Sequence, residues 1–429
     1  MNFENETIVK APVLLNSNVV LPLHIDENEL NLVINTLIEK HFSQAFLLDN
    51  GYRAKIQVQK DVKFSAYANR INYTIPLFIE LYPSAEITKI KADGIIAIEL
   101  STTLSSLQNK ILSKTEYTRH QWVQAPQLKI LGLPIPISAI ADIFINKIKQ
   151  PLCKSLDENI SKSLDLAALS KKINTIFQKP LMTTDDQIIG LYASPSQMSI
   201  GPLSMANGEL IIPLIMDTEA VIAEQKPSDL YNELNIEIQP VHEAYSDIYV
   251  QSRLPLSYIE QICRENVENQ SYGSGITKLT VSKIKLSGYK ETLRINLNTL
   301  GAFNGELEMS LSPKFDHQKK QIYFDNFSIK PVNGKTLDKA LFSIIQGFAQ
   351  NKVKSTLEEF FNTTLNDYIN SSNSILEGKE IFPGTTLQGK LMDYNIADFN
   401  IYENRIYFNL NCKLMSKLSL LKFPLDKIQ

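Results

Sequence analysis

The side chains most able to bind a metal or move a proton near neutral pH are His24, His41, His120, His242 and His317. None stands at His-Glu-x-x-His or any other paired-ligand spacing, and each reads as a surface or loop residue. No Gly-x-Ser-x-Gly elbow presents a nucleophilic serine. Tyr272-Gly273-Ser274-Gly275 lacks the third glycine of a dinucleotide fingerprint and precedes a strand pattern rather than a helix, which makes it a turn. Gly334-Lys335-Thr336 follows a strand pattern and opens a helical one, the setting of a phosphate-binding loop. The position of the first glycine holds Ile329, so the backbone cannot curl around a phosphate there. Thr336 reads instead as a helix N-cap, with Asp338 near the positive end of the helix dipole. Asp157-Glu158, Asp185-Asp186 and Glu358-Glu359 are sequence neighbours that point apart, so they read as solvated faces and not as acid/base pairs.

Cys153, Cys263 and Cys412 are odd in number and more than a hundred residues apart, without disulfide or zinc spacing. Their apolar neighbours mark them as small core residues. These absences point away from an enzyme, and no cofactor is implied.

The 43 basic and 46 acidic residues nearly cancel, so no whole-molecule field concentrates nucleic acid around the chain. A hydrophobic share of 44% with 21% charged residues belongs to a folded chain, and 429 residues exceed one ordinary core, so two large domains are expected. No uninterrupted apolar run approaches the roughly 18 residues of a membrane span. Met1 to Lys10 shows neither a basic n-region nor an apolar h-region. The compartment therefore stays open: cytoplasmic if Met1 is the native start, periplasmic or outer-membrane-associated if an export signal has been removed.

The elements that would position any site follow from hydrophobic period. Ile71, Tyr73, Ile75, Leu77, Ile79 and Leu81 alternate, predicting a strand with one buried face. The same period recurs at Leu293, Ile295 and Leu297, at Leu307, Met309 and Leu311, and from Ile406 to Leu414. Two stretches break it. Ile140, Phe144, Ile148, Leu152, Leu156 and Ile160 fall four apart and predict a helix from Ser138, kinked at Pro151. Leu337, Leu341, Ile344, Ile345, Phe348, Phe360, Phe361 and Tyr368 predict a second helix from Thr336 to about Asn370, roughly 50 Å long at about 1.5 Å per residue. So long a helix between runs of strands needs an extended apolar surface, and a curled sheet supplies one.

After each long helix, residues 196 positions apart agree in type and phase. Ile200 matches Ile396, Leu203 Phe399, Met205 Ile401, Leu210 Ile406, Ile212 Phe408, Leu214 Leu410 and Met216 Cys412. Leu23 to Asn35 and Leu254 to Val267 likewise both read as strand end then short helix. The reading is α+β: two tandem repeats, each a curled, mostly antiparallel sheet wrapped on a long α-helix. Residues 1–17 form a lead-in, 18–225 the first domain and 226–429 the second, with separable halves joined within Glu224 to His242. Asn235 to Gln239 reads as a strand bridging the halves, and Ser113 to Pro136 as an insertion confined to the first.

Leu21-Pro22-Leu23, Trp122 with Pro126 and Leu131-Gly132, Gly301-Ala302-Phe303-Asn304-Gly305 and Pro313-Lys314-Phe315-Asp316 are diffuse markers. With the repeat, they make the chain from about Asn18 to Leu420 resemble a bacterial family of unassigned function placed with the tubular lipid-binding (TULIP) superfamily. That resemblance implies two tubes related to the bactericidal/permeability-increasing protein, each with an apolar seam for acyl chains. Many members of the family carry lipoprotein export signals, and this sequence shows none.

The resulting expectation is a non-enzymatic protein that carries, sequesters or senses a lipid or another long apolar molecule, with transient membrane contact. The candidate seam comprises Ile140, Phe144, Ile148 and Leu152; Ile212, Leu214 and Met216; Leu337, Leu341, Ile344 and Phe348; and Phe408 and Leu410. The rival expectation is a structural or protein-interaction module whose tubes are filled by their own side chains.

Overall fold

The computed structural model describes residues 13–42, 44–48, 52–59, 61–83, 92–107, 110–130, 133–136, 138–163, 166–230, 234–239, 245–332, 339–382 and 384–421. The chain begins with β1 (Asn16–Asp26), α1 (Glu27–Phe42), β2 (Phe46–Leu47), β3 (Tyr52–Val58), β4 (Lys63–Ala68), β5 (Arg70–Pro83), β6 (Ala92–Leu107), β7 (Lys110–Ile130) and β8 (Leu133–Pro136). Helices α2 (Ser138–Ser163) and α3 (Leu166–Ile176) follow, then β9 (Met182–Thr183), β10 (Gly190–Ile200), β11 (Leu203–Ala206) and β12 (Glu209–Ala223). Next come β13 (Asn235–Ile238), β14 (Ser246–Pro255), α4 (Leu256–Val267), β15 (Ser271–Tyr272), β16 (Leu279–Tyr289), β17 (Thr292–Gly301), β18 (Gly305–Asp316) and β19 (Gln321–Pro331). The chain closes with α5 (Lys339–Phe348), a π-helical stretch Ala349–Lys354, α6 (Ser355–Leu376), β20 (Glu377–Phe382), β21 (Thr385–Tyr402) and β22 (Arg405–Leu420).

The protein is mostly β, with curled, predominantly antiparallel sheets. β3, β5, β6 and β7 pair antiparallel in that order, and β15 to β19 form a separate five-stranded antiparallel sheet. Alternation sets their inner faces: Tyr73, Ile75, Leu77, Ile79 and Leu81 of β5 are all buried, as are Leu293, Ile295 and Leu297 of β17. The inner faces close on helices. Phe144, Ile148, Leu152 and Leu156 of α2 pack in one core with β5 and β6, and Phe348, Leu357, Phe361 and Leu365 pack in another with β16 to β19.

Polar helix residues hold the sheet edges. On α2, Asp157 accepts the Thr115 backbone N–H at 3.2 Å and its hydroxyl at 2.7 Å. On α6, Glu358 accepts the Phe324 N–H at 3.0 Å, while Asn362 accepts the Ile322 N–H and donates to the Ile322 carbonyl at 2.7 and 2.8 Å. On α4 and at the residue that ends it, Glu260 and Glu268 accept the N–H groups of Leu286 and Ile284 at 2.9 and 2.7 Å. Each bond satisfies an edge-strand group that would otherwise invite another strand. This corrects the sequence reading of Asp157 and Glu358: the neighbours Glu158 and Glu359 are exposed, but these two turn inward to the edge.

The second long helix runs past Asn370 to Leu376, and Gly378, at φ 98°, takes the chain out of it. Ile345, Ala349, Val353, Leu357, Phe361 and Leu365, four apart, are all buried. In an α-helix a four-residue step drifts by about 40°. The π-helical stretch, with more residues per turn, takes up part of that drift. Pro151 lies inside α2.

Two central strands lie end to end. β12 pairs antiparallel with β1 from Glu209 to Glu219 and then parallel with β14 from Ala220 to Ile222. β22 pairs antiparallel with β14 from Arg405 to Leu414 and then parallel with β1 from Leu418 to Leu420. Ile200 faces Leu214 and Met205 faces Leu210, and 196 positions later Ile396 faces Leu410 and Ile401 faces Ile406. Glu27 donates its N–H to Gly208 and Leu256 donates to Asn404, both at 2.8 Å, so each helix start is tied to a hairpin turn.

Two readings of local structure are corrected. Ser113 to Pro136, read as an insertion, is strand β7 with β8, and β7 is bonded to β6 along its length. Its polar, largely exposed side chains hide the alternation. Asn235 to Ile238 is indeed a strand, β13, but it joins β10 parallel instead of bridging to later strands. Leu230, Leu234 and Ile236 are fully buried, so they anchor the chain within the interval from Glu224 to His242.

Candidate functional site

The candidate seam residues do not meet in one place. Phe144, Ile148 and Leu152 are buried in the core between α2 and β5–β6, where Phe144 stacks on Phe46 with ring centroids 6.0 Å apart. Ile212, Leu214 and Met216 pack in a second cluster with Ile173 of α3 and Ile236 of β13. Phe348, Leu341, Phe408 and Leu410 belong to a third, and Ile344 is half-buried on α5. Leu337, Asp338 and Gly334-Lys335-Thr336 lie outside the described residues, as do His242 and Leu131-Gly132; the side chains of Ile140 and His41 are also outside them. A single stripe per helix was thus an incomplete guide, because helical spacing names a face without naming what the face meets.

Among the described members of this set, Phe408 and Leu410 alone line the apolar crevice between α6 and the central strands. Phe360, Phe361, Thr364, Leu365 and Tyr368 form its helical wall, and Ile222 of β12, Ser252 and Leu254 of β14 and Ile322 of β19 complete it. It encloses about 30 Å³, room for about one water molecule. Phe360 lies edge-on to Phe361 at 5.2 Å and to Tyr258 of α4 at 5.8 Å. Tyr258 is anchored by its hydroxyl, which donates to Asp186 at 2.9 Å. Burial and that bond push the Tyr258 pKa up to about 12.

Three of the lining residues, Ser252, Thr364 and Tyr368, carry hydroxyls. The hydroxyls of Ser252 and Tyr368 are buried without a hydrogen-bond partner. Burial raises the Tyr368 pKa, and the neighbouring Tyr258 and Asp186 raise it further, so the group stays a neutral donor. A buried polar atom left unpaired costs about 1–3 kcal/mol. Sequence reading overlooked Ser252, although it occupies an inward position in the alternation Ile248, Val250, Ser252, Leu254 and is the one polar residue there.

The chemistry-bearing residues are dispersed. His24 is not a loop residue but sits on β1, where Nδ1 lies 2.7 Å from Glu209, which also accepts from Lys417 at 3.0 Å. His120 contacts Tyr117, and His317 packs edge-on against Phe315. All three cysteines are free; burial pushes Cys263 and Cys412 up to about 12. Among the described residues no three His, Cys, Asp or Glu side chains group as metal ligands, and no helix is long and apolar enough to cross a membrane.

A family model described as a domain of unknown function, DUF4403, matches residues 16–420. The chain belongs to the DUF4403 family. No curated protein matches the sequence. Among solved structures, a lipopolysaccharide binding protein aligns over 94% of this chain and 99% of its own at 9% identity, with a TM-score of 0.29. P47 of Clostridium botulinum E1 aligns over 92% of this chain and 98% of its own, at 9% identity and a TM-score of 0.25. Superposition this loose carries no weight for function, and the DUF4403 chain has to be read from its own residues.

Proposed function

We propose that this DUF4403 protein is a non-enzymatic binder of a lipid or similar long apolar molecule, held between α6 and the central strands. The observation that carries this reading is the pairing of an apolar crevice with the unpartnered hydroxyls of Ser252 and Tyr368. An acyl chain with one polar group, an ester or carboxyl, would satisfy both the lining and the hydroxyls. Its transfer from a bilayer exchanges one apolar surrounding for another, so the roughly 0.8 kcal/mol per buried CH₂ is conserved and no energy source is required. At about 30 Å³ the crevice must open to load, since ligand pockets span about 300–1,000 Å³. Half-buried Phe360, at the wall, is the side chain whose rotation would open it.

The same reading takes the chain as two related tubes, divided in 224–229 and similar in plan to the TULIP superfamily. The common registers at Ile200–Leu214 and Ile396–Leu410 and the matching bonds at Glu27 and Leu256 support it. The rival reading, a self-filled structural or interaction module, is favoured by the complete burial of Phe144, Ile148 and Leu152.

Solvent extraction and native mass spectrometry of purified protein separate the two. A co-purifying lipid is expected, and Tyr368→Phe with Ser252→Ala should reduce it while leaving the melting temperature unchanged or higher. Protein that carries none, and that takes up no fluorescent fatty acid, returns the chain to the structural reading.

A further inference from the structure

The opposite face of the same central strands carries a second, polar groove of about 200 Å³. Its floor is a grid set by strand register. Asp247 of β14 faces Lys413 of β22, which faces Asp393 of β21; two residues along, Tyr249 faces Asn411, which faces Asn395. These six alternate with Ile248, Cys412 and Tyr394, whose side chains pack on the apolar core, so the six share the other face. The side-chain oxygens of Asn395 and Asn411 are buried and have no hydrogen-bond partner. Two adjacent unpaired acceptors in one groove are a cost that a folded chain ordinarily avoids.

The charges narrow what could fill it. Lys413 stands between Asp247 and Asp393 in register and Lys320 donates to Asp393 Oδ1 at 2.8 Å, so two ammonium groups balance two carboxylates and neither a metal cation nor an anion is favoured. An apolar group would leave the amide oxygens unpaired. A neutral ring bearing several hydroxyls meets these requirements: its O–H groups donate to Asp247, to the Asp393 oxygen that Lys320 does not hold, and to Asn395 and Asn411, one of its oxygens accepts from Lys413, and its C–H face can lie on Tyr249. The groove has the volume of six or seven waters at about 30 Å³ each, the size of one sugar ring. We infer that this groove is a saccharide site, separate from the crevice at α6 and independent of whether that crevice takes a lipid.

The test is saturation-transfer NMR and calorimetry on the full chain with the methyl glycosides of glucose, galactose, mannose and N-acetylglucosamine, and with calcium chloride and sodium sulfate as controls. At least one glycoside should bind saturably, and Asn411→Leu and Asn395→Leu should each weaken it by about tenfold or more, as a site built around hydroxyl partners requires. Their melting temperatures should not fall, because each removes an unpaired buried acceptor; a fall would assign the asparagines to structure and overturn the proposal. Asp247→Ala, on an exposed side chain, must also weaken binding. No binding by any glycoside, binding unchanged in Asp247→Ala, or calcium or sulfate bound in the glycosides' place would each overturn it.

Discussion

Glu358 on α6 accepts the backbone N–H of Phe324 on β19 at 3.0 Å, so the long helix closes the edge of the five-stranded sheet through a side chain that looks solvent-directed in sequence. Asn362, one turn on, engages both backbone groups of Ile322. Helix and sheet edge are therefore joined by directional bonds as well as by apolar contact.

Glu358→Gln keeps an acceptor and should leave stability nearly unchanged. Glu358→Leu strands the Phe324 N–H, and Asn362→Leu strands two groups at Ile322. Each loss of a partner is expected to cost about 1–3 kcal/mol, with Asn362→Leu the larger. Scanning calorimetry of the three variants checks the order.

Acid should loosen the junction of β1, β12 and β22. Hydrogen bonds from His24 and Lys417 hold the Glu209 carboxyl below its ordinary pKa. A depressed folded-state pKa contributes stability above the unfolded value and loses it as the pH falls through the folded one. Melting temperature should therefore drop below the ordinary carboxylate range, and Glu209→Gln should flatten that part of the profile. An unchanged acid limb in Glu209→Gln would remove this residue from the account.

Cys263 and Cys412, with pKa values pushed up to about 12 by burial, should resist alkylation in the native protein. At pH 8 only about one thiol in ten thousand would be ionised at such a pKa, and the thiolate is the reacting form. Iodoacetamide labelling followed by peptide mass spectrometry should show modification of both only after denaturation.

Cleavage in the interval after β12 should nick the chain without parting it. Glu224, Gln225, Ser228 and Asp229 are exposed, whereas Leu230 and Leu234 are buried. A glutamate-specific protease is expected to cut after Glu224. The fragments should stay together on gel filtration, because β1 remains bonded to β22 and β12 to β14. Fragments that elute separately without denaturant would mean those pairings contribute little.

Local pattern alone was enough for much of the fold. Alternation marked the buried faces of β5, β17 and β22, and helical spacing marked α2 and the α5–α6 helix, while Ile200 and Ile396, 196 residues apart, stand opposite Leu214 and Leu410. These features depend on neighbours a few residues apart, and such neighbours carry the period of the backbone. β7 escaped because a strand whose side chains are polar and mostly exposed has no apolar alternation to read. The partners of each face came only with the tertiary structure. It sent the stripe of α2, the inner face of β12 and that of β22 into three different clusters, and it brought Ser252 of β14 and Tyr368 of α6 to one apolar crevice. It also laid β1 and β14 end to end between β12 and β22. The physical reason is that a hydrophobic period states that a surface will be buried, while the surface that covers it lies up to hundreds of residues away in the chain and is chosen by the packing of the whole.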